Sequence, residues 1–190
     1  MGLVRSSDCD DVAQRFAPNP VWVEQTTRSR SRQLPQWDDA EHPAFTLNEE
    51  VMLCPTIFVA MCQNFKVKPE IDLFASARHH QLPRYFSVDR KDSRAEGYNA
   101  FNFLWSPDIM LYINPPWTLL DEVMNKIIRD GSRCLLVTPY WPEKDWYRKL
   151  RTLKRELRYW SQPLYLEEHG RMQRAPRWDT VFTYIPGDRR

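Results

Sequence analysis

Sustained hydrophobic periodicity begins near Asn48. In "NEEVMLCPTIFVAMCQNF" the positions Ile57, Phe58, Met61, Cys62 and Phe65 fall on one helical stripe. Pro55 suits the start of that helix, where its missing N–H would have had no partner. "EIDLFA" (70–75) predicts a short strand carrying a single aspartate, and "RYFSV" a second short strand within a polar, turn-rich stretch. "IMLYI" (109–113) is a continuous apolar run, the pattern of a strand covered on both faces. "TLLDEVMNKIIRDG" (118–131) predicts an amphipathic helix on a Leu119, Val123, Ile127 stripe, ended by Gly131. "CLLVTPYW" (134–141) reads as another buried strand, "EKDWYRKLRTLKRELRYW" as a basic helix, and "PLYLEE" and "DTVFTYIP" as two closing strands.

Strands alternating with helices predict an α/β fold, a mostly parallel sheet with helices on both faces. Strands at 70–75, 109–113 and 134–138 are expected to be parallel neighbours, with a further strand at 179–185. In open sheets of this kind ligands bind just beyond the carboxyl ends of the strands. Asn114 to Trp117 and Thr138 to Trp141 would then share one rim. Residues 1–45 lack such periodicity and include "TTRSRSRQLPQWDDAEHP", so they read as a tail or linker, with residues 46–190 as the folded domain.

Composition narrows the picture. At 42% hydrophobic and 27% charged the chain is globular rather than disordered. A formal charge of +2 gives no global pull toward nucleic acid, so any basic surface has to be local. The local candidate is the basic helix, where Lys144, Arg148, Lys149 and Arg151 interleave with Trp146 and Tyr147; its alternative is a solvated face. Cys9, Cys54, Cys62 and Cys134 show no paired spacing, so no zinc or other metal site is expected, and Cys62 and Cys134 read as buried free thiols. No signal peptide or membrane-spanning run is visible, and a soluble protein of the cytoplasm or nucleus is expected.

The candidate chemistry is in "NPPW" (114–117). Prolines end the strand and stiffen the loop, holding the Asn114 amide and the Pro115 carbonyl in fixed directions. Trp117 offers a flat face to a nucleobase. Two fixed acceptors and a stacking face suit an exocyclic amine, whose developing positive charge they would stabilise.

Those residues resemble a known family. Asn114-Pro115-Pro116-Trp117 is similar to the (Asp/Asn/Ser)-Pro-Pro-aromatic motif of S-adenosylmethionine-dependent methyltransferases that act on the amine of adenine. "DLFASARHHQLPRYFS" (72–87) resembles a segment of phage-type Dam adenine methyltransferases, and more closely one in the Dam-like domains of DIRS-type tyrosine-recombinase retroelement polyproteins. "LLVTPYWPEKDWY" and "HGRMQRAPRWDTVFTYI" are similar to later segments of those proteins, in the same order. The resemblance implies a Rossmann-like methyltransferase core that transfers a methyl group from S-adenosylmethionine to N6 of adenine in DNA, or in RNA, with the base flipped out. It implies that Asp72, Phe74, Ala75 and Trp105 bind the cofactor and that Asn114, Pro115, Pro116 and Trp117 form the catalytic loop. The Gly-x-Gly turn of many nucleotide-binding folds does not follow "EIDLFA". The alternatives are a catalytically silent nucleic-acid-binding module, or a fragment of a retroelement polyprotein that also carries a reverse transcriptase and RNase H.

Overall fold

The computed structural model describes residues 52–160, 165–166 and 179–188; the expected tail at 1–45 lies outside the described residues. Chain order is β1 (Met52–Leu53), α1 (Pro55–Phe65), β2 (Ile71–Ala75), β3 (Tyr85–Ser87), β4 (Gly97–Tyr98), β5 (Leu111–Ile113), α2 (Leu120–Asp130), β6 (Cys134–Pro139), α3 (Asp145–Thr152), β7 (Glu156–Trp160), β8 (Tyr165–Leu166) and β9 (Thr180–Ile185). Seven strands form one sheet in the order β4-β3-β2-β5-β6-β9-β7, and β1 pairs separately with β8. The strands β4, β3, β2, β5 and β6 are mutually parallel, while β9 runs antiparallel to both β6 and β7.

This sheet is mixed and mostly parallel, as the alternation of apolar runs predicts. Starting at β2 the chain moves outward through β3 and β4, then returns to the other side of β2 for β5 and β6. The direction of progression reverses between β2 and β5. In open α/β sheets that reversal opens a crevice at the carboxyl edge.

Alternation along each strand divides the core into two layers. Leu111, Ile113, Cys134 and Leu136 face α2 and α3, packing with Val123, Met124, Ile127, Trp146 and Leu150. Met110, Tyr112, Leu135 and Val137 face α1, packing with Ile57, Phe58, Met61 and Phe65. α1 ends where Lys66 takes a left-handed conformation, and α2 ends at Gly131, φ +67°, where a residue without Cβ is unstrained. At the edge strand, the position a Cβ of Gly97 would take lies 2.6 Å from the Phe103 ring, which stacks on Phe86. Glycine is what lets that aromatic pair lie across the strand.

The basic helix and the first closing strand differ from the sequence expectation, and the short strands β1 and β4 are additions to it. The basic helix stops at Thr152; Leu153 is extended, and residues 156–160 form β7. β9 presents a backbone edge there, and Leu157 pairs with Thr183 and Arg158 with Phe182. A ladder of five residues outweighs the mild helix preference of Lys, Arg and Glu. Arg158 also lies over the Phe65 ring at 5.2 Å and donates to Asn64 Oδ1, tying β7 to α1. Within "PLYLEE" the described pair Tyr165–Leu166 joins β1 rather than the main sheet. Among the described residues no helix is long and apolar enough to cross a membrane.

Candidate active site

Because β2, β3, β5 and β6 are parallel, Ala75, Ser87, Ile113 and Pro139 end along one edge. The loops beyond them form the rim. β2 and β5 are adjacent, with Asp72 opposite Tyr112; continuing that register sets Asn114 level with the end of β2. The fold therefore brings the two ends of the sequence-predicted site, 72–75 and 114–117, to one rim of the sheet.

Pro115 is buried and Asn114 and Trp117 partly so. Pro116 is extended, and its carbonyl accepts from Leu119 N–H at 2.9 Å, closing a short turn over Trp117–Leu119 that leads into α2. Trp117 meets Trp141, from the loop after β6, edge to face at 5.5 Å and 77°. The two strand exits singled out in the sequence thus brace each other.

Phe74, at the end of β2, touches Phe101 and Trp105 at centroid distances of 5.6 and 6.1 Å, both edge to face. Trp105 itself is 1% exposed and donates from Nε1 to the Ala100 carbonyl. It lies beneath Phe74 rather than at the surface. Its backbone N–H donates to Asp130 Oδ2, which also receives Lys126 Nζ at 2.8 Å. Lys126 lies over the Trp105 ring as well, so a buried ion pair of α2 pins the aromatic floor from below. Burial opposes ionisation of Asp130, but the bonds from Lys126, the Trp105 backbone and Arg129 bring its carboxyl below the ordinary aspartate range.

Asp72 is 3% exposed. Its Oδ1 accepts from Phe74 N–H at 3.3 Å and its Oδ2 from Gln81 N–H at 3.0 Å, so the carboxyl closes the loop that follows β2. Burial raises Asp72 to about 7, against the opposing pull of those two bonds. The folded chain then holds a proton that an exposed aspartate releases near pH 4. Stability from this group is full below that pH and declines as pH rises toward 7. Relative to Asp72→Asn, the wild type should lose on the order of 1 kcal/mol per pH unit between pH 5 and 7 and level off above 8. Urea denaturation across that range checks it; a difference independent of pH would show that Asp72 stays ionised.

The candidate nucleic-acid residues are dispersed. Lys149 Nζ reaches Asn125 Oδ1 at 2.8 Å and Asp121 Oδ1 at 3.4 Å, and Arg148 pairs with Asp145 at 2.9 Å. α3 runs away from the rim, so Arg151 lies about 10 Å further along the helix axis than Lys144. Lys144 stands nearest the crevice, on the loop shared with Trp141.

One acidic residue at the rim escapes the sequence reading. Asp89 is exposed just past β3; its N–H donates to Ser87 Oγ, and its Oδ1 accepts from Lys91 N–H at 2.8 Å. In dinucleotide-binding α/β folds an acidic side chain about 20 residues beyond the first strand's turn binds ribose hydroxyls. The surrounding "DRKDSR" hides it among alternating charges. Among the described residues no three His, Cys, Asp or Glu side chains group as metal ligands would. The Cys54, Cys62 and Cys134 thiols are free, and burial pushes Cys62 up to about 12. No protein-family model matches the chain, and no curated protein matches it.

Proposed function

We infer that the protein transfers a methyl group from S-adenosylmethionine to N6 of adenine in DNA on a Rossmann-like methyltransferase core. The observation that carries this reading is the position of Asn-Pro-Pro-Trp: it leaves β5 at the crevice where the sheet reverses, level with the end of β2. The residues around that crevice suit the cofactor. Phe74 and Phe101 supply an aromatic floor, Asp89 a carboxylate for ribose hydroxyls, and Ala75, Ser76 and Ala77 small side chains where a glycine turn would otherwise let the backbone approach. Asp72 and Trp105, both buried, would support this pocket, Asp72 by holding the loop after β2 and Trp105 by carrying Phe74. When bound, the cofactor supplies a methyl group on a positively charged sulfur, a good leaving group.

The chain's own part is orientation. Asn114 Oδ1 and the Pro115 carbonyl hold the two amine hydrogens of a flipped adenine and stabilise positive charge as it develops on nitrogen. Neither group titrates near neutral pH, so they fix the amine rather than deprotonate it. Transfer leaves the cofactor sulfur as a neutral thioether, and the methylated amine, a strong acid while cationic, then gives its extra proton to water. Trp117 stacks on the base, and its edge-to-face contact with Trp141 fixes its plane. Lys144, on the loop that also holds Trp141, is the basic residue assigned to a phosphate of the same strand, and DNA affinity should fall with salt accordingly.

Cofactor binding separates this reading from a catalytically silent nucleic-acid module, which needs no sulfonium pocket. S-adenosylmethionine at about 100 times its Kd should stabilise the chain by about 2.7 kcal/mol, seen as a rise in Tm that grows with concentration. An unchanged Tm at millimolar cofactor would favour the silent module.

A further inference from the structure

β5 carries a hydroxyl into the interior of the sheet. Tyr112 is 1% exposed, and its ring meets Phe58 of α1 edge to face, centroids 4.8 Å apart at 68°. A phenol so placed ordinarily has a partner, because leaving a buried hydroxyl unsatisfied is destabilising. Tyr112 Oη makes no well-formed hydrogen bond with any described residue. The groups that act on it are Asp72, opposite it on β2, then Tyr165, Cys62 and the Asn114 amide. Among these the Asn114 amide is the one that acts on the phenol as a hydrogen-bonding group, at a geometry short of a well-formed bond. Side chains two apart on an extended chain share a face, so Asn114 follows Tyr112 directly.

The chemistry of the three groups sets the direction of the bond. Burial, and after it the Asp72 charge, holds the phenol well above its ordinary pKa, so it keeps its proton. Asp72 disfavours the phenolate, whereas the Asn114 amide favours it, as a donor to the phenol oxygen does. A lone pair accepts only from the NH2 end of an amide. An amide bound inward by Nδ2 turns its Oδ1 outward.

We propose that Tyr112 is a positioning residue for Asn114: its hydroxyl accepts from Asn114 Nδ2 and so fixes the amide with Oδ1 toward the rim. This role rests on Asn114 Oδ1 receiving the target amine in the function proposed above. The two ends of an amide are nearly the same size, so a partner that only accepts from it, as Tyr112 Oη would, is what tells them apart. A reversed amide would set its own N–H groups against those of adenine.

Tyr112→Phe tests this, since it removes one oxygen and keeps the ring and its contact with Phe58. At pH 8, kcat for adenine methylation should fall between about ten- and about a hundredfold, with KM for S-adenosylmethionine unchanged. In an Asn114→Ala background the same substitution should have no further effect on kcat, because Tyr112 acts through the amide. An undiminished kcat in Tyr112→Phe, or an equal loss in both backgrounds, overturns the proposal. The Asn114 amide provides a readout that needs no turnover. In ¹⁵N-labelled protein its two Nδ2 protons should form a pair shielded from solvent exchange, shifted and exposed in Tyr112→Phe. If the wild type transfers no methyl group the proposed function fails, and the amide spectrum decides on Tyr112 alone: an unchanged pair overturns its role.

Discussion

Replacing Asn114 by alanine should lower methyl transfer to adenine about 10²–10³-fold while leaving S-adenosylmethionine affinity nearly intact. The size follows from removing one preorganised acceptor at a centre where charge develops. Its selectivity follows from the proposed division of roles, with Asn114 at the exit of β5 assigned to the base and the cluster of Phe74, Phe101 and Trp105 assigned to the cofactor. Trp117→Ala should act differently, weakening the flipped base by roughly 1–3 kcal/mol. Trp117→Phe should restore much of that by keeping a π-face, though it shortens the contact with Trp141. Steady-state kinetics with a DNA duplex, varying each substrate in turn, distinguish the two: Asn114→Ala in kcat, Trp117→Ala in KM for DNA. A fall in cofactor affinity with Asn114→Ala would place the amide in the wrong pocket.

The second large effect is on stability. Asp130→Ala should destabilise the fold by about 3–5 kcal/mol, because it leaves the Lys126 ammonium buried without its partner. Lys126 and Asp130 side chains are 5% and 6% exposed, and Asp130 also anchors the Trp105 backbone. Arg129, by contrast, is largely solvated and contributes little through its own bond to Asp130. The double variant Lys126→Met, Asp130→Ala should regain most of the loss, since no charge then remains inside. Urea midpoints at constant m-value report both. Equal stability of Asp130→Ala and wild type would show that Lys126 finds water instead.

How legible these features are in the sequence depends on which force shapes them. β2, β5, β6 and β9 announce themselves as mainly apolar runs, because burial on both faces of a sheet leaves little room for polar residues beyond Asp72 and the buried threonines of β6 and β9. Asn-Pro-Pro-Trp is equally plain as the end of β5, since proline cannot continue the ladder. β7 is not legible: Glu156 to Trp160 continues a basic helical pattern, and only the edge of β9, about two dozen residues later, turns it into a strand. Trp105 reads in the sequence as a cofactor-binding candidate, and its burial is not legible there because it depends on Lys126 and Asp130, one helix away. Tyr112 is concealed differently. Inside "IMLYI" it counts as one more apolar residue, and its hydroxyl acquires meaning only when register sets it against Asp72.

The central claim is that this crevice methylates adenine on its amine. Its most direct test is mass spectrometry of nucleosides from adenine-containing DNA incubated with the purified chain and S-adenosylmethionine carrying a deuterated methyl group. The account predicts N6-methyladenine bearing the three deuterons in wild type, and its near disappearance in Asn114→Ala. Label absent from adenine in the wild type, or equally abundant in both proteins, would contradict it.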